Sequence, residues 1–370
     1  MQGLSDLQRP ILTTDSAPTD LSSLLKLTRK QWWVLVALNI SFVVLGQILA
    51  VLLCRFYYAQ GGSSTFMATF VQTAGFPILF IPLLLLPSDP KSSSPPNQIT
   101  KRHIVLIYIS LGVLLAVDNM LYSVGLLYLS ASTYSLLCST QLAFNAVFSY
   151  FFNSQKFTPL IVNSVVIVSF STGLLATNDD SDEPAGGSKL KYAIGFLCSL
   201  CDSAAYSLLL SLMQLAFKKI SKAETFAAVM EMQIYSSLVA TILSIGGLYA
   251  SGQWMDLGGE MKNFNTGPVS YIMTLVWTAI CWQVSWVGVV GLIFLVSSLF
   301  SNVIGTVAFA VTPLASLIVF HDEMNGVKII AMLQALWGFF SYLYQNYLDD
   351  RRMRKLQTES EIESDDFNIS

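Results

Sequence analysis

Along most of this chain, apolar runs of roughly twenty residues alternate with short charged loops, and that is the length needed to cross a hydrocarbon core of about 30 Å. Few folds can accommodate such a pattern. The composition points the same way. Charged residues make up 12% of the 370 residues and apolar residues 54%, against about 25% charged in a soluble globular protein. A soluble fold of this size needs more polar surface to cover itself. The expected class is an all-α, multi-pass membrane protein embedded in the lipid bilayer.

Ten candidate spans emerge: 33–54, 66–87, 104–128, 131–152, 159–177, 192–217, 226–250, 270–293, 296–320 and 327–348. The fifth is the shortest, and the eighth and ninth almost run together. Residues 1–30 are polar and lack the basic-then-apolar layout of a cleaved signal peptide. They read as a disordered cytosolic arm, and the acidic tail 351–370 reads as a disordered, solvated end. With the N-terminus in the cytosol, 15 of the 20 Lys and Arg fall on the cytosolic side. The acidic loop Asp179-Asp180-Ser181-Asp182-Glu183 then falls outside. Both termini are therefore expected inside; the plasma membrane is the expected location, with the vacuolar membrane left open.

The chain also repeats itself. Val124-Gly125-Leu126 through Ser135 aligns with Val290-Gly291-Leu292 through Ser301 at a constant offset of 166, with six of twelve positions identical. This sets the third and fourth spans over the eighth and ninth, so the repeating unit is five spans, and an odd unit inserts its second copy upside down. The expected architecture is ten transmembrane helices as two inverted five-helix repeats, residues 31–180 and 181–350. Secondary transporters recurrently use this plan, with the substrate near the midplane between the halves.

Polar groups at membrane depth are costly and usually face a bundle interior or a watery cavity. Tyr134, Cys138, Gln141 and Asn145 share one helical face of the fourth span. Gln and Asn amides suit an adenine-like edge, offering one donor and one acceptor, although they also serve as glue between helices. Asn119 joins the candidate substrate set, as do Gln283 and Asn302 in the eighth and ninth spans. Trp282 and Trp286 lie one turn apart and can form one wall, on which a flat base stacks for roughly 1–3 kcal/mol. Three carboxylates lie within or at the start of spans: Asp118, Asp202 and Glu231. Burial favours the protonated form of a carboxyl, so each is a candidate for carrying a proton, and Glu231 for touching substrate as well.

Other chemistries find no footing. There is no H-E-x-x-H, no G-x-S-x-G and no phosphate-cradling Gly loop. Cys198-x-x-Cys201 has no second pair or nearby His to complete a metal site. No enzyme activity, cofactor, metal or nucleic-acid partner is expected.

Ser132-Thr133-Tyr134-Ser135-Leu136, Gln141-Leu142-Ala143-Phe144-Asn145-Ala146, Asn153-Ser154-Gln155-Lys156-Phe157-Thr158 and Glu231-Met232-Gln233-Ile234-Tyr235 together resemble the plant purine permease family. So do Thr274-Leu275-Val276-Trp277-Thr278, Val290-Gly291-Leu292-Ile293-Phe294, Ser297-Ser298-Leu299-Phe300-Ser301-Asn302-Val303-Ile304 and Phe320-His321-Asp322-Glu323-Met324-Asn325-Gly326. The resemblance spans roughly residues 30–350. It implies the drug/metabolite transporter fold and proton-driven uptake of adenine, cytokinins or caffeine-like purines, with pyridoxine or alkaloids in some relatives. Two positions depart from the pattern: Ser130 stands where many relatives have Pro, and Leu295 where they have an acidic residue.

The expected function is a proton-coupled importer of purine bases and cytokinins working by alternating access. The alternatives are a carrier of another flat heterocycle, a nucleotide-sugar-type exchanger, which would want cationic groups at depth, and a hormone receptor that moves nothing. The oligomeric state is open.

Overall fold

The computed structural model describes residues 29–85, 101–153, 189–220, 226–295 and 298–322, scattered positions from 159 to 174 and much of 324–351. Among the described residues every regular element is helical, as hydrocarbon demands of a chain that must satisfy its own backbone. The elements are α1 (Arg29–Ala59), α2 (Thr65–Ala74), α3 (Phe80–Leu85), α4 (Lys101–Tyr128), α5 (Ala131–Cys138) and α6 (Gln141–Asn153). The second part of the chain holds α7 (Lys189–Ile220), α8 (Phe226–Ala250), α9 (Leu257–Asn263), α10 (Pro268–Leu295) and α11 (Ser298–Phe320). A shorter apolar helix, α12, runs Gly326–Gly338. Among the described residues six helices are long and apolar enough to cross a membrane: α1, α4, α7, α8, α10 and α11. The expected fifth span, the arm to residue 28, the acidic loop and the tail from 352 lie wholly or largely outside the described residues.

Two expected spans are not continuous helices. In the second, α2 stops at Ala74 and the chain tightens into a 3-10 turn, Phe76–Leu79, before α3. Pro77 explains this break, since it has no N–H to extend the α-helical ladder. The fourth span breaks between α5 and α6, at Ser139 and Thr140. No Pro or Gly is present there. Instead the hydroxyls bond back to the helix, Ser139 Oγ to Ser135 O at 3.3 Å and Thr140 Oγ1 to Leu137 O at 2.7 Å, offering the backbone an alternative to the regular ladder. Ser130 caps α5, its Oγ accepting from Thr133 N at 3.2 Å. The eighth and ninth spans are separate, α10 ending at Leu295 and α11 starting at Ser298.

Close helix pairs fix the rest. α1 and α10 run antiparallel, because Gly46 lies against Cys281 and Ser285 while Gly288 lies against Asn39 and Val43. A Cβ on Gly288 would sit 2.7 Å from Asn39 O, so only glycine permits this approach. α4 and α7 are antiparallel too, with Gly125 against Ser199 and Asp118 beside Asp202. Gly125 and Gly291, aligned by the sequence repeat, thus each meet an antiparallel neighbour, Ser199 in α7 and Asn39 in α1. α4 and α8 run parallel, Tyr108 stacking on Tyr235 at 5.5 Å and Gly112 meeting Val239. α5–α6 and α7 are parallel as well, since Ser203 reaches Leu137 O and Ser207 reaches Gln141 O.

One end of the bundle is fastened. Glu260 accepts hydrogen bonds from Tyr57 OH, from Ser63 N at 3.1 Å and Oγ at 3.0 Å, and from Ser64 N at 3.2 Å. Beneath it, Tyr57, Phe264 and Tyr271 pack with centroids 5.3–6.5 Å apart. At the same end Asp322 accepts from Ser132 Oγ at 3.1 Å, and the fully buried Lys328 donates to Ser132 Oγ at 3.3 Å.

Candidate functional site

Near mid-depth, α1, α2, α4, α5–α6, α7, α10 and α11 surround one cavity. Asp118 and Asn119 reach it from α4, Gln141 from the start of α6, and Asp202 and Tyr206 from α7. Trp282 and Trp286 come from α10, and Asn302 and Phe309 from α11. The lining residues come from both the first and the second part of the chain.

The break in the fourth span shapes one wall. α7 braces the break from the side: Ser207 Oγ donates to Gln141 O at 2.9 Å and Ser203 Oγ to Leu137 O at 3.5 Å, the latter carbonyl also accepting from Thr140 N at 3.0 Å. Serines at a helix spacing of four thus hold the broken segment against α7, with Tyr134 and Gln141 lining the cavity.

Two carboxyls meet in that wall. Tyr134 OH donates to Asp202 Oδ2 at 2.6 Å, and Cys138 Sγ donates to the same oxygen at 3.5 Å. Asp118 lies within hydrogen-bonding reach of Asp202. Two ionised carboxylates do not make that contact, so the pair is suited to sharing one proton. Both are buried.

Aromatic rings form the other walls. Tyr122 meets Tyr134 edge-on at 5.1 Å and Trp282 edge-on at 5.3 Å, while Tyr206 packs against Trp286 at 6.2 Å. Three lining side chains carry N–H groups that find no acceptor among the described residues: Asn119 Nδ2, Trp282 Nε1 and Asn302 Nδ2. An unpaired buried donor costs about 1–3 kcal/mol. Three around one cavity call for a ligand with several acceptors. Among the described residues no Lys or Arg lines the cavity.

Of the residues expected from sequence, Asp118, Asn119, Gln141, Asp202, Trp282, Trp286 and Asn302 come together here. Three do not. Glu231 is exposed on the first turns of α8, one turn before the outward-facing Tyr235, because Met232, Gln233 and Ile234 take the buried face. Gln283 is fully buried yet turned from the cavity, its Nε2 donating to Gln72 O at 3.2 Å. Asn145 is buried in α6, beyond the cavity lining. The sequence reading passed over Gln47, Gln72, Tyr206 and Phe309, which do line it. Gln47 and Gln72 carried the same signal as Gln141, a lone amide in an apolar run.

Comparison with known proteins gives a consistent picture. A family model described as purine nucleobase transmembrane transport matches residues 34–352. The chain is 61% identical to probable purine permease 11 of Arabidopsis thaliana, over 97% of this chain and 95% of that one. It is 55% identical to probable purine permease 13 of the same plant, over 93% and 94%. Purine permease 21 is 48% identical over 90% of this chain and 86% of its own length.

Proposed function

This chain belongs to the family of purine nucleobase transmembrane transporters, and from that premise we propose that it imports purine bases, including adenine and cytokinins, together with protons by alternating access. It is an integral, multi-pass transporter rather than an enzyme. The observation that carries the purine reading is the aromatic cavity with three unpaired N–H donors on Asn119, Trp282 and Asn302. Adenine is flat and presents several ring nitrogens as acceptors. Gln141 adds an amide, and Trp282 and Trp286 supply faces for stacking. A cavity without Lys or Arg does not suit a phosphorylated sugar nucleotide.

Proton coupling is assigned to Asp118 and Asp202. The two buried carboxyls lie beside each other, an arrangement suited to sharing one proton, and Tyr134 holds Asp202 in place. Exchanging that proton with each side in turn would tie purine movement to the gradient.

The architecture in this reading is two inverted five-span repeats, 31–180 and 181–350, inserted with both termini in the cytosol of a plasma-membrane protein. Helix pairing supports it. Exchanging each span for the one five later carries the α1–α10 contact onto the α7–α4 contact, and the α4–α8 contact onto the α10–α2 contact. The fastened end, with Glu260 and Asp322, then faces outside.

The test is uptake of labelled adenine and trans-zeatin into proteoliposomes, with and without an inward proton gradient. Gradient-dependent accumulation of either supports the whole reading. Exchange without gradient dependence removes the coupling alone. No movement of either by folded protein removes the substrate assignment, and with labelled counterflow also absent, a receptor would stand in its place.

A further inference from the structure

Gln72 and Gln283 form a buried amide chain that ends on a cavity residue. The 3-10 turn after Ala74 interrupts the helix ladder and leaves the Gln72 carbonyl in need of a donor. Gln283 Nε2 from α10 supplies it at 3.2 Å. The Gln72 side chain continues across to α4, its Nε2 donating to Asn119 O at 3.1 Å and to Ser123 Oγ at 3.0 Å. Ser123 Oγ itself donates to Asn119 O at 2.8 Å and receives Thr69 Oγ1 at 3.0 Å. Room for this chain depends on Gly75, where a Cβ would sit 2.6 Å from Gln283 Cγ. Gln72, Asn119 and Gln283 are each more than nine-tenths buried. Within hydrocarbon, two buried amides directed in series at backbone carbonyls are costly unless they fix something. Asn119 is the residue they fix, and its Nδ2 finds no partner among the described residues.

We propose that Gln283 and Gln72 are positioning residues for base recognition: through the Asn119 carbonyl they set the register of α4 so that Asn119 Nδ2 donates to one ring nitrogen of the purine. Gln283 never touches the base. It acts from the far side of the broken second span, and specificity for one ring position thereby depends on a contact among α10, α2 and α4. The inference rests on the cavity being the purine site.

The experiment measures equilibrium binding of adenine, 1-deazaadenine, 3-deazaadenine and 7-deazaadenine to the purified full-length protein. Each analogue replaces one acceptor nitrogen by C–H. The wild-type protein is expected to bind one of the three about tenfold more weakly than adenine, the loss of one hydrogen bond in a dry site. In Asn119→Ala that penalty disappears, because the donor is gone. In Gln283→Leu and Gln72→Leu the same penalty shrinks to about threefold or less, while those for the other two analogues stay as in wild type. Uniform weakening of all four ligands, or no change, would overturn the proposal, since a merely structural role treats every purine alike. Gln72→Leu removes a cavity-lining amide and can compromise folding; Gln283→Leu touches no cavity atom and suffices for the test. If the wild-type protein binds no purine, the substrate reading fails, and the positioning claim is then read from hydrogen exchange. Gln283→Leu is expected to speed exchange across residues 69–76 and 117–123 by about tenfold, and unchanged exchange there would reject it.

Discussion

Tyr134 and Asp202 are joined by a 2.6 Å hydrogen bond between α5 and α7, with the Asp118 carboxyl beside Asp202. Both partners are more than nine-tenths buried. A phenol donating to a carboxylate in a dry wall is a charge-assisted bond, worth about 1.5–3 kcal/mol. It ties α5, just before the break of the fourth span, to α7 and so connects the shape of the cavity to the state of the carboxyl pair.

Tyr134→Phe removes that donor and leaves the ring in place. Purine exchange in proteoliposomes is expected to fall about tenfold, with expression and monodispersity retained. Wild-type exchange would show that the hydroxyl does not organise the pair.

Replacing either carboxyl separates coupling from movement. Asp202→Asn and Asp118→Asn are each expected to abolish gradient-driven accumulation while labelled counterflow continues. Glu231→Gln, on the exposed face of α8, is expected to stay within about twofold of wild type in both assays. A Glu231 variant that lost accumulation alone would return the coupling role to that residue.

Packing between α1 and α10 depends on backbone approach. Gly288→Val places atoms where Asn39 O lies 2.7 Å from the Cβ position and is expected to destabilise the protein by about 1–3 kcal/mol. Gly246→Ala is the control. Nothing lies within 4 Å of a Cβ there, and in a helix Ala is favoured over Gly by about 0.8–1.0 kcal/mol. Thermal unfolding in detergent compares them, and an equal shift in both would refute the close-packing account.

Glu260→Ala deprives Tyr57, Ser63 and Ser64 of a common acceptor. The expected loss is about 1–3 kcal/mol, seen as a lower unfolding temperature, with purine affinity within about twofold of wild type because the latch lies outside the cavity. Should affinity fall as far as stability, the latch and the site are one unit.

How legible the site was depends on which residue is considered. Asp118, Asn119, Gln141 and Asn302 stood out as polar groups in apolar runs, and they line the cavity. Glu231 and Gln283 carried the same mark and do not, one being turned outward and the other held by a backbone carbonyl. In water the polar face of a helix identifies its exposed side. Inside a bilayer both faces are apolar, so helical spacing shows which residues share a face and leaves open where that face points. The helix breaks divided similarly. Both spans were expected to be continuous; Pro77 is a signal in the sequence for the first break, while the second rests on Ser139 and Thr140, residues that sit as readily within a continuous helix.

The sequence by itself determined that this chain lives in a membrane, roughly where its helices run, that its third and fourth spans recur near the C-terminus, and which family it resembles. Those properties are set by local composition and by order along the chain. The tertiary structure decided that Asp118 meets Asp202, that α7 serines hold the broken fourth span, and that Gln283 faces Gln72 instead of the cavity. Such relationships depend on how each helix is rotated about its axis and how deep it sits. Close contacts at Gly46, Gly125 and Gly288 fix both, and a contact of that kind exists only once two distant segments have packed.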